Sequence, residues 1–429
     1  MAEIWAKALE DLWGIKAHLS RLDGEYDLNF RAVTAEGSAY IVKVMRAGCD
    51  LAMVDLQVAA LGHVARHAPE IPMPRVVTAL DGADTLVVRD TDGKDRLVWV
   101  QTALPGGCYA AFKPHSDTLI HALGRQTGRL AATLESFEHD ALVRDFKWNL
   151  TRSDWIADQL DVIANPDRRS MLEQICGAFA AIKPALGGLA VQAVHNDLND
   201  YNILVDLDGS VPVVSGLIDL GDMCAAPRIC DLAIAAAYVV LDHPAPERAV
   251  TALIAGYHAE NPLTGAEIDM VWPLLRMRLA KSVVNSTLMA RETPDDPYVT
   301  ISQAPAWRFL EQPEIEPELL RCRLRSACGL PVDDAAARTA AWLAKARGSF
   351  ADVIGVSLHN APMGALSVEA SATPRNPFNL AHAEAAAIGS ETFGPDDIWL
   401  GYYAEPVSYT HLRAHETERL ISYAVFCLK

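Results

Sequence analysis

The first quarter of the chain alternates short apolar runs with polar turns, and the rest carries longer apolar stripes at helical spacing. Ala17–Leu22, Leu28–Thr34 and Ala39–Val44 read as three strands of a meander, separated by turns at 23–27 and 36–37. Asp50–His67 follows as a helix, with Val54, Leu61 and Val64 on one stripe and Pro69 just past its end. Thr85–Val88 and Leu97–Thr102 add two strands joined by the turn Asp92-Gly93. Ala103-Leu104-Pro105-Gly106-Gly107 then interrupts the pattern as a hinge-like loop. Beyond it, Thr118–Phe137, Ser153–Lys183 (broken near Asn165-Pro166), Leu232–Leu241, Trp272–Met289 and Pro331–Arg347 read as helices. Ile203–Val205 is a short strand among them, followed by the turn Asp206-Leu207-Asp208-Gly209. The expected architecture is α+β and bilobal, a small antiparallel β lobe over residues 1–102 and a larger helical lobe over 103–347.

Composition narrows the partners. The chain has 429 residues, more than one core usually holds. A net charge of −18 opposes binding to nucleic acid and to anionic membranes. No segment approaches a membrane span, and the first residues lack a signal-peptide pattern, so the cytoplasm is expected. The eight cysteines include no C-x-x-C pair, and neither a zinc site nor a disulfide framework is expected.

Chemistry concentrates in two blocks. Val194–Val205 contains His195-x-Asp197-x-x-x-x-Asn202, and Ile218-Asp219-Leu220-Gly221-Asp222 follows, with Asp219 seventeen positions after Asn202. Phosphoryl transfer from a nucleotide needs a carboxylate at the acceptor hydroxyl and oxygen ligands for magnesium. Protein kinases supply these with a catalytic-loop Asp, an Asn five residues on and a second Asp on the next turn. Asp197 would orient or deprotonate the hydroxyl, and Asn202 and Asp219 would hold Mg²⁺. Asp, Asn and Gly are also ordinary turn formers, so either block alone reads equally as a hairpin turn. Lys43 interrupts an apolar strand; a solvent-facing edge lysine and a phosphate-binding lysine both fit that position. Kinases pair such a lysine with a helix Glu; Gln57 is the best-placed helix residue here, with Asp55 nearby. Asp231 reads as a helix cap or a brace for the catalytic loop.

Taken as residues rather than spacings, several strings resemble the aminoglycoside phosphotransferase/choline kinase superfamily, and within it the hydroxylysine kinase branch. They are 23–30 (Asp-Gly-Glu-Tyr-Asp-Leu-Asn-Phe), the strand ending near Lys43, Pro72–Val77, the two blocks above, Phe146–Leu150, Arg228–Ala233 and Gly256-Tyr257-His258. The resemblance covers residues 15–347. It implies a protein-kinase-like fold, a γ-phosphoryl donor (GTP or ATP) and a small amino alcohol as acceptor, 5-hydroxylysine before aminoglycosides, homoserine or ethanolamine. It implies Asp197 as the catalytic residue, Asn202 and Asp219 as Mg²⁺ ligands, and Lys43, Gly24 and Gln57 at the nucleotide. The chain departs from the pattern at Gln57, at a nucleotide loop with the single Gly24, and at Asn196, where protein kinases have Arg. A nucleotide-binding pseudokinase or scaffold is the rival, and the intact set Lys43, Asp197, Asn202 and Asp219 counts against it.

After Phe350 the character changes. Some bacterial proteins fuse this kinase through a peptidase-like segment to a pyridoxal-phosphate enzyme of aminotransferase class III, and Gly401–Pro406 resembles such a junction. Residues 348–406 are accordingly either the start of a fused domain or a plain extension. Val407–Lys429 is similar to translated adapter sequence and is expected to be non-native.

Overall fold

A computed structural model of the chain describes residues 2–22, 27–292, 303–312 and 315–332. The turn with Gly24, residues 333–347 of the last expected helix, the extension 348–406 and the tail 407–429 lie outside the described residues. The chain divides into two units, Met1–Pro313 and Glu314–Lys429.

The first unit opens with a helix that the strand-centred reading passes over, α1 (Ala2–Trp13). Its signal is present: Trp5, Leu9 and Trp13 recur every four residues and all are buried. The meander follows on its expected residues as β1 (Ala17–Leu22), β2 (Leu28–Thr34) and β3 (Ala39–Val44). Then come α2 (Leu51–His67), capped by Asp50, whose carboxylate accepts from Ala52 N at 3.0 Å, and β4 (Val76–Val77), β5 (Thr85–Arg89) and β6 (Asp95–Thr102). Among the described residues these strands form a six-stranded antiparallel sheet in the order β1-β2-β3-β6-β4, with β5 also on β6. The stripe on α1 packs with Phe30, Ala32, Val42, Val44, Val98 and Val100 to make the core of this lobe.

After the loop at 103–106, β7 (Gly107–Cys108) pairs with the later hairpin, and α3 (Asp117–Leu134) starts at a Ser116 cap. The break expected near Asn165-Pro166 divides the Ser153–Lys183 stretch into a 3₁₀ segment (Asp154–Val162) and α4 (Pro166–Leu186). The Asn165 side chain accepts from Asp167 N and Arg168 N, so it starts a new helix there. α4 also passes the expected stop at Pro184. A proline in the last turn removes one ladder bond, and Gly187 N–H closes the end on Lys183 O at 2.9 Å. Next are β8 (Val191–Val194), the hairpin β9 (Ile203–Asp208) and β10 (Val211–Leu217), β11 (Cys224–Pro227), and the helices α5 (Ile229–Val239), α6 (Pro246–Glu260), α7 (Gly265–Glu292) and α8 (Gln303–Leu310). Every residue of α5 is buried, which explains its unbroken apolar run. The second unit contributes α9 (Pro317–Ala327), with the Glu316 carboxylate accepting from Leu319 N at 2.9 Å. Among the described residues no disulfide forms, and no helix is long and apolar enough to cross a membrane.

α3 and α6 approach each other backbone to backbone. A Cβ on Gly256 would lie 2.1 Å from His121 O, and one on Gly124 would lie 2.0 Å from Leu253 O. Neither carbonyl can rotate away, so a methyl group must push the helices apart. Gly256→Ala is expected to destabilise by about 3 kcal/mol, the upper end for overpacking, despite alanine's better helix propensity. Thermal unfolding checks this; an unchanged Tm would show that the helix pair yields freely.

Candidate active site

The first block fills the loop between β8 and β9, and the second follows β10, so the hairpin brings the two together. Asp231, in the first turn of α5, accepts from His195 N at 2.8 Å and Asn196 N at 2.6 Å. It is therefore a brace for the loop, and burial raises its carboxyl pKa despite those two bonds. His195 is fully buried. Its Nε2 lies 3.0 Å from Ile218 O and its Nδ1 3.3 Å from Asp197 N–H, which fixes the proton on Nε2 and ties one block to the other. Asn196 and Asp219 both have left-handed backbones, φ 65° and 67°. Asn and Asp tolerate that region better than most residues, and such strain collects at functional turns.

Asp197 stands at the centre. Oδ2 accepts from Asn199 Nδ2 and Asn202 Nδ2, each at 2.8 Å, and Oδ1 accepts from Arg278 Nη2 at 2.8 Å. Asn202 gives its other amide hydrogen to Asp197 O at 2.9 Å, which leaves its Oδ1 uncommitted. Asp219 Oδ1 accepts from Gly221 N at 3.1 Å and from Lys43 Nζ at 3.2 Å. Lys43 beside it holds the Asp219 carboxyl below its usual pKa range. The hard oxygens Asn202 Oδ1 and Asp219 Oδ2 thus remain available. No group of three or more His, Cys, Asp or Glu side chains is arranged to hold a metal among the described residues.

Lys43 lies on an interior strand, between β2 and β6, with its side chain 11% exposed and its Nζ 5.4 Å from the Trp99 ring centre. The edge-lysine reading is therefore set aside. The helix residues considered as its partner do not meet it. Gln57 is buried and donates to Met53 O at 3.0 Å within its own helix, and Asp55 pairs with His139 Nε2 at 3.1 Å. An uncharged amide in α2 is satisfied locally, and Lys43 takes the carboxylate of Asp219 instead.

Three further residues complete the site and were not singled out from sequence. Arg278 on α7 reaches Asp197, and its guanidinium carbon lies 4.9 Å from the Trp148 ring centre and 5.4 Å from that of Tyr238. Arg144 donates to Gly221 O at 3.0 Å and stacks 4.0 Å over Phe146, steadying the Asp219 turn. Lys281 is fully buried, donating to Asn149 O at 2.9 Å. For Arg278 and Lys281 the signal was cations, with Arg276, in the largely apolar run 274–284; Arg144 carried no such signal. Burial pushes Asp200 up to about 6. Burial and then the charges of Asp197 and Asp219 push Asp222 up to about 7.

Burial also lowers Lys281 to about 7. Its folded pKa then lies below the unfolded 10.5, so the folded state binds fewer protons and wild-type stability falls as pH drops from about 10 to about 7. Lys281→Met removes that dependence, at a pH-independent cost of about 1–3 kcal/mol for the orphaned Asn149 carbonyl. The variant's Tm is expected to gain on wild type between pH 9 and pH 7 and to level off below. A difference constant with pH would show that the amine is not held near neutrality.

An Asp held by two Asn side chains and an Arg thus stands beside a Lys–Asp pair carried on a β-sheet strand and the turn after a hairpin. The chain belongs to the phosphotransferase enzyme family (APH), whose profile matches residues 18–268. It is a small-molecule kinase with a hydroxyl acceptor. It is 27% identical to the hydroxylysine kinase of Mus musculus over 337 residues, 72% of this chain and 88% of that protein. It is 26% identical to the hydroxylysine kinase of Danio rerio over 315 residues, 70% of this chain and 88% of that protein. Among solved structures, a microcompartment-associated aminopropanol kinase superposes with TM-score 0.57 at 19% identity, covering 78% of this chain and 100% of that one. The amicoumacin kinase hAmiN, in complex with AMP-PNP, Ca²⁺ and Ami, gives 0.54 at 17%, covering 72% and 92%. These likenesses confirm the bilobal fold expected from the sequence.

Proposed function

We propose that this kinase transfers the γ-phosphoryl group of GTP or ATP to the hydroxyl of 5-hydroxylysine. The observation that carries the reading is Asp197: three donors fix its carboxylate in the loop between β8 and β9, as a group that orients an acceptor hydroxyl must be fixed. The names of the relatives support the acceptor. In this reading the nucleotide lies between the β lobe, residues 1–102, and the helical lobe that begins at 103. Lys43 meets its phosphates, and Gly24 would contribute backbone. Gln57 acts only through the packing of α2.

The oxygens left over on Asn202 and Asp219 suit Mg²⁺, which takes one or two protein oxygens and completes its shell with phosphates and water. Bound there, the ion would neutralise charge developing on the phosphates. Asp197 orients the hydroxyl and accepts its proton, and Arg278 and Asn202 hold the carboxylate in place while it does so. Asp200 and Asp222 are the acidic groups this reading assigns to the substrate ammonium. Any link to a pyridoxal-phosphate partner belongs to residues 348–406 and rests on sequence alone.

A coupled phosphorylation screen of the full chain tests the reading, over 5-hydroxylysine, homoserine, ethanolamine, choline and kanamycin with each nucleotide. Turnover is expected with 5-hydroxylysine at the highest kcat/KM. Preference for kanamycin or choline would replace the substrate, and absence of phosphoryl transfer with every alcohol would favour a scaffold.

A further inference from the structure

Gln101 is 7% exposed, and its side-chain amide makes no hydrogen bond among the described residues, yet it is not sealed from solvent. A largely buried amide left unpaired is costly, and native structures keep few without a reason. Two other glutamines show the satisfied case: Gln57 donates to Met53 O at 3.0 Å and Gln192 to Ala131 O at 2.7 Å. Alternation along β6 sets where Gln101 points. Val98 and Val100 enter the core beneath α1, so Trp99 and Gln101 lie on the opposite face of the sheet. Lys43 shares that face. It stands opposite Trp99 in the ladder, with Nζ 5.4 Å from the Trp99 ring centre, and it reaches across to Asp219. Gln101 stands opposite Ile41, one step further along the same face and about 7–8 Å from Lys43 between Cα atoms. Phosphates at Lys43 thus direct a nucleotide's base along this face, toward Gln101 and the loop at 103–106.

We infer that Gln101 reads the substituent at C6 of the donor's purine: its amide oxygen accepts from the amino group of adenine or, with the amide turned over, its nitrogen donates to the oxo group of guanine. A carboxamide carries both a donor and an acceptor, which is what the two bases demand at that position. The main chain nearby has little to offer in its place. Over 102–105, Thr102 N–H goes to Arg75 O at 2.8 Å, Ala103 N–H goes to Ala39 O at 3.0 Å, and Pro105 has none. Leu104 keeps the one free N–H of that stretch, enough for a single ring atom. The inference rests on the reading that the nucleotide lies between the lobes with its phosphates at Lys43, and it does not depend on which alcohol accepts the phosphoryl group. It names the side chain through which ATP and GTP are admitted.

Calorimetric binding of AMP-PNP and GMP-PNP with Mg²⁺ to the full chain tests this without any acceptor. Gln101→Glu offers acceptors only. Its Kd for GMP-PNP relative to AMP-PNP should rise at least about thirtyfold over the wild-type ratio, because a carboxylate facing the guanine oxo group loses a bond and adds a repulsion. Gln101→Met, close in size, should weaken both analogues by about three- to tenfold, the worth of one hydrogen bond. In turnover the nucleotide KM should follow these changes with kcat within about threefold, since a contact to the base is uniform binding. An unchanged ratio in Gln101→Glu overturns the inference. Wild-type protein supplies a check that poor folding of a variant cannot shelter: purine riboside triphosphate, which has only hydrogen at C6. It should bind wild type at least about fivefold more weakly than ATP does, and Gln101→Met should narrow that gap. Equal wild-type affinity for the two would show that C6 goes unread and overturns the inference by itself. Wild type that binds no nucleotide overturns the inference and the kinase reading together. The expected binding shifts beside an alcohol screen without turnover would support Gln101 and overturn the 5-hydroxylysine acceptor alone.

Discussion

Asp197→Ala is expected to lower kcat by at least about a hundredfold, the usual loss on removing a general base. The expectation comes from how much of the local structure serves this one carboxylate. Asn199, Asn202 and Arg278 all donate to it, and Asp231 and His195 fix the backbone from which it projects. The same contacts predict a side effect. Without the carboxylate, Arg278 is a buried cation lacking its anion, a loss of about 3–5 kcal/mol in comparable pairs. Asp197→Asn is the milder variant: it keeps an oxygen for Arg278, although its amide nitrogen then faces the donors Asn199 and Asn202 and the negative charge is lost with the basicity. Both should bind AMP-PNP and fail in turnover, with Asp197→Asn closer to wild type in Tm. Near wild-type kcat in Asp197→Asn would remove Asp197 from its role.

The β lobe was legible because its strands are short apolar runs closed by Asp-Gly and Glu-Gly turns, and all three strands of the meander lie where alternation put them. The two acidic blocks were legible because loop chemistry is local: every partner of Asp197 except Arg278 lies within five residues of it. Arg278 is eighty-one positions away, and nothing in a helix sequence says which neighbour its cation will meet. Gln57 shows the converse. Its position in α2 fitted the kinase pattern, yet an uncharged amide gains more from Met53 O one turn back than from a distant ammonium. Lys43 was ambiguous because strand order decides whether a lysine is at an edge, and strand order is a non-local property. The glycines of α3 and α6 were unreadable for a related reason: their meaning lies in the other helix's carbonyls.

Metal dependence is the second large effect expected. Asn202 has both amide hydrogens committed to Asp197, so the orientation of its side chain is fixed by hydrogen bonding and its oxygen faces away from that residue. Asp219 gives one oxygen to Lys43 and Gly221 and keeps the other. Two oxygens with no nitrogen or sulfur make a hard site that suits Mg²⁺, while Zn²⁺ favours His and Cys ligands. Turnover should stop with chelator, return with Mg²⁺ and fail to return with Zn²⁺. Asp219→Ala should reduce kcat by roughly 10²–10³-fold, comparable to losing a preorganised charge-stabilising group. It also frees Lys43, so the phosphate affinity need not fall with it. Asn202→Ala should raise the Mg²⁺ concentration needed for half-maximal rate and also lower kcat at saturating Mg²⁺, because one side chain both binds the ion and holds Asp197. A kcat restored in full by excess Mg²⁺ would show that Asn202 serves the metal alone, and turnover that survives chelation would overturn the phosphoryl-transfer reading itself.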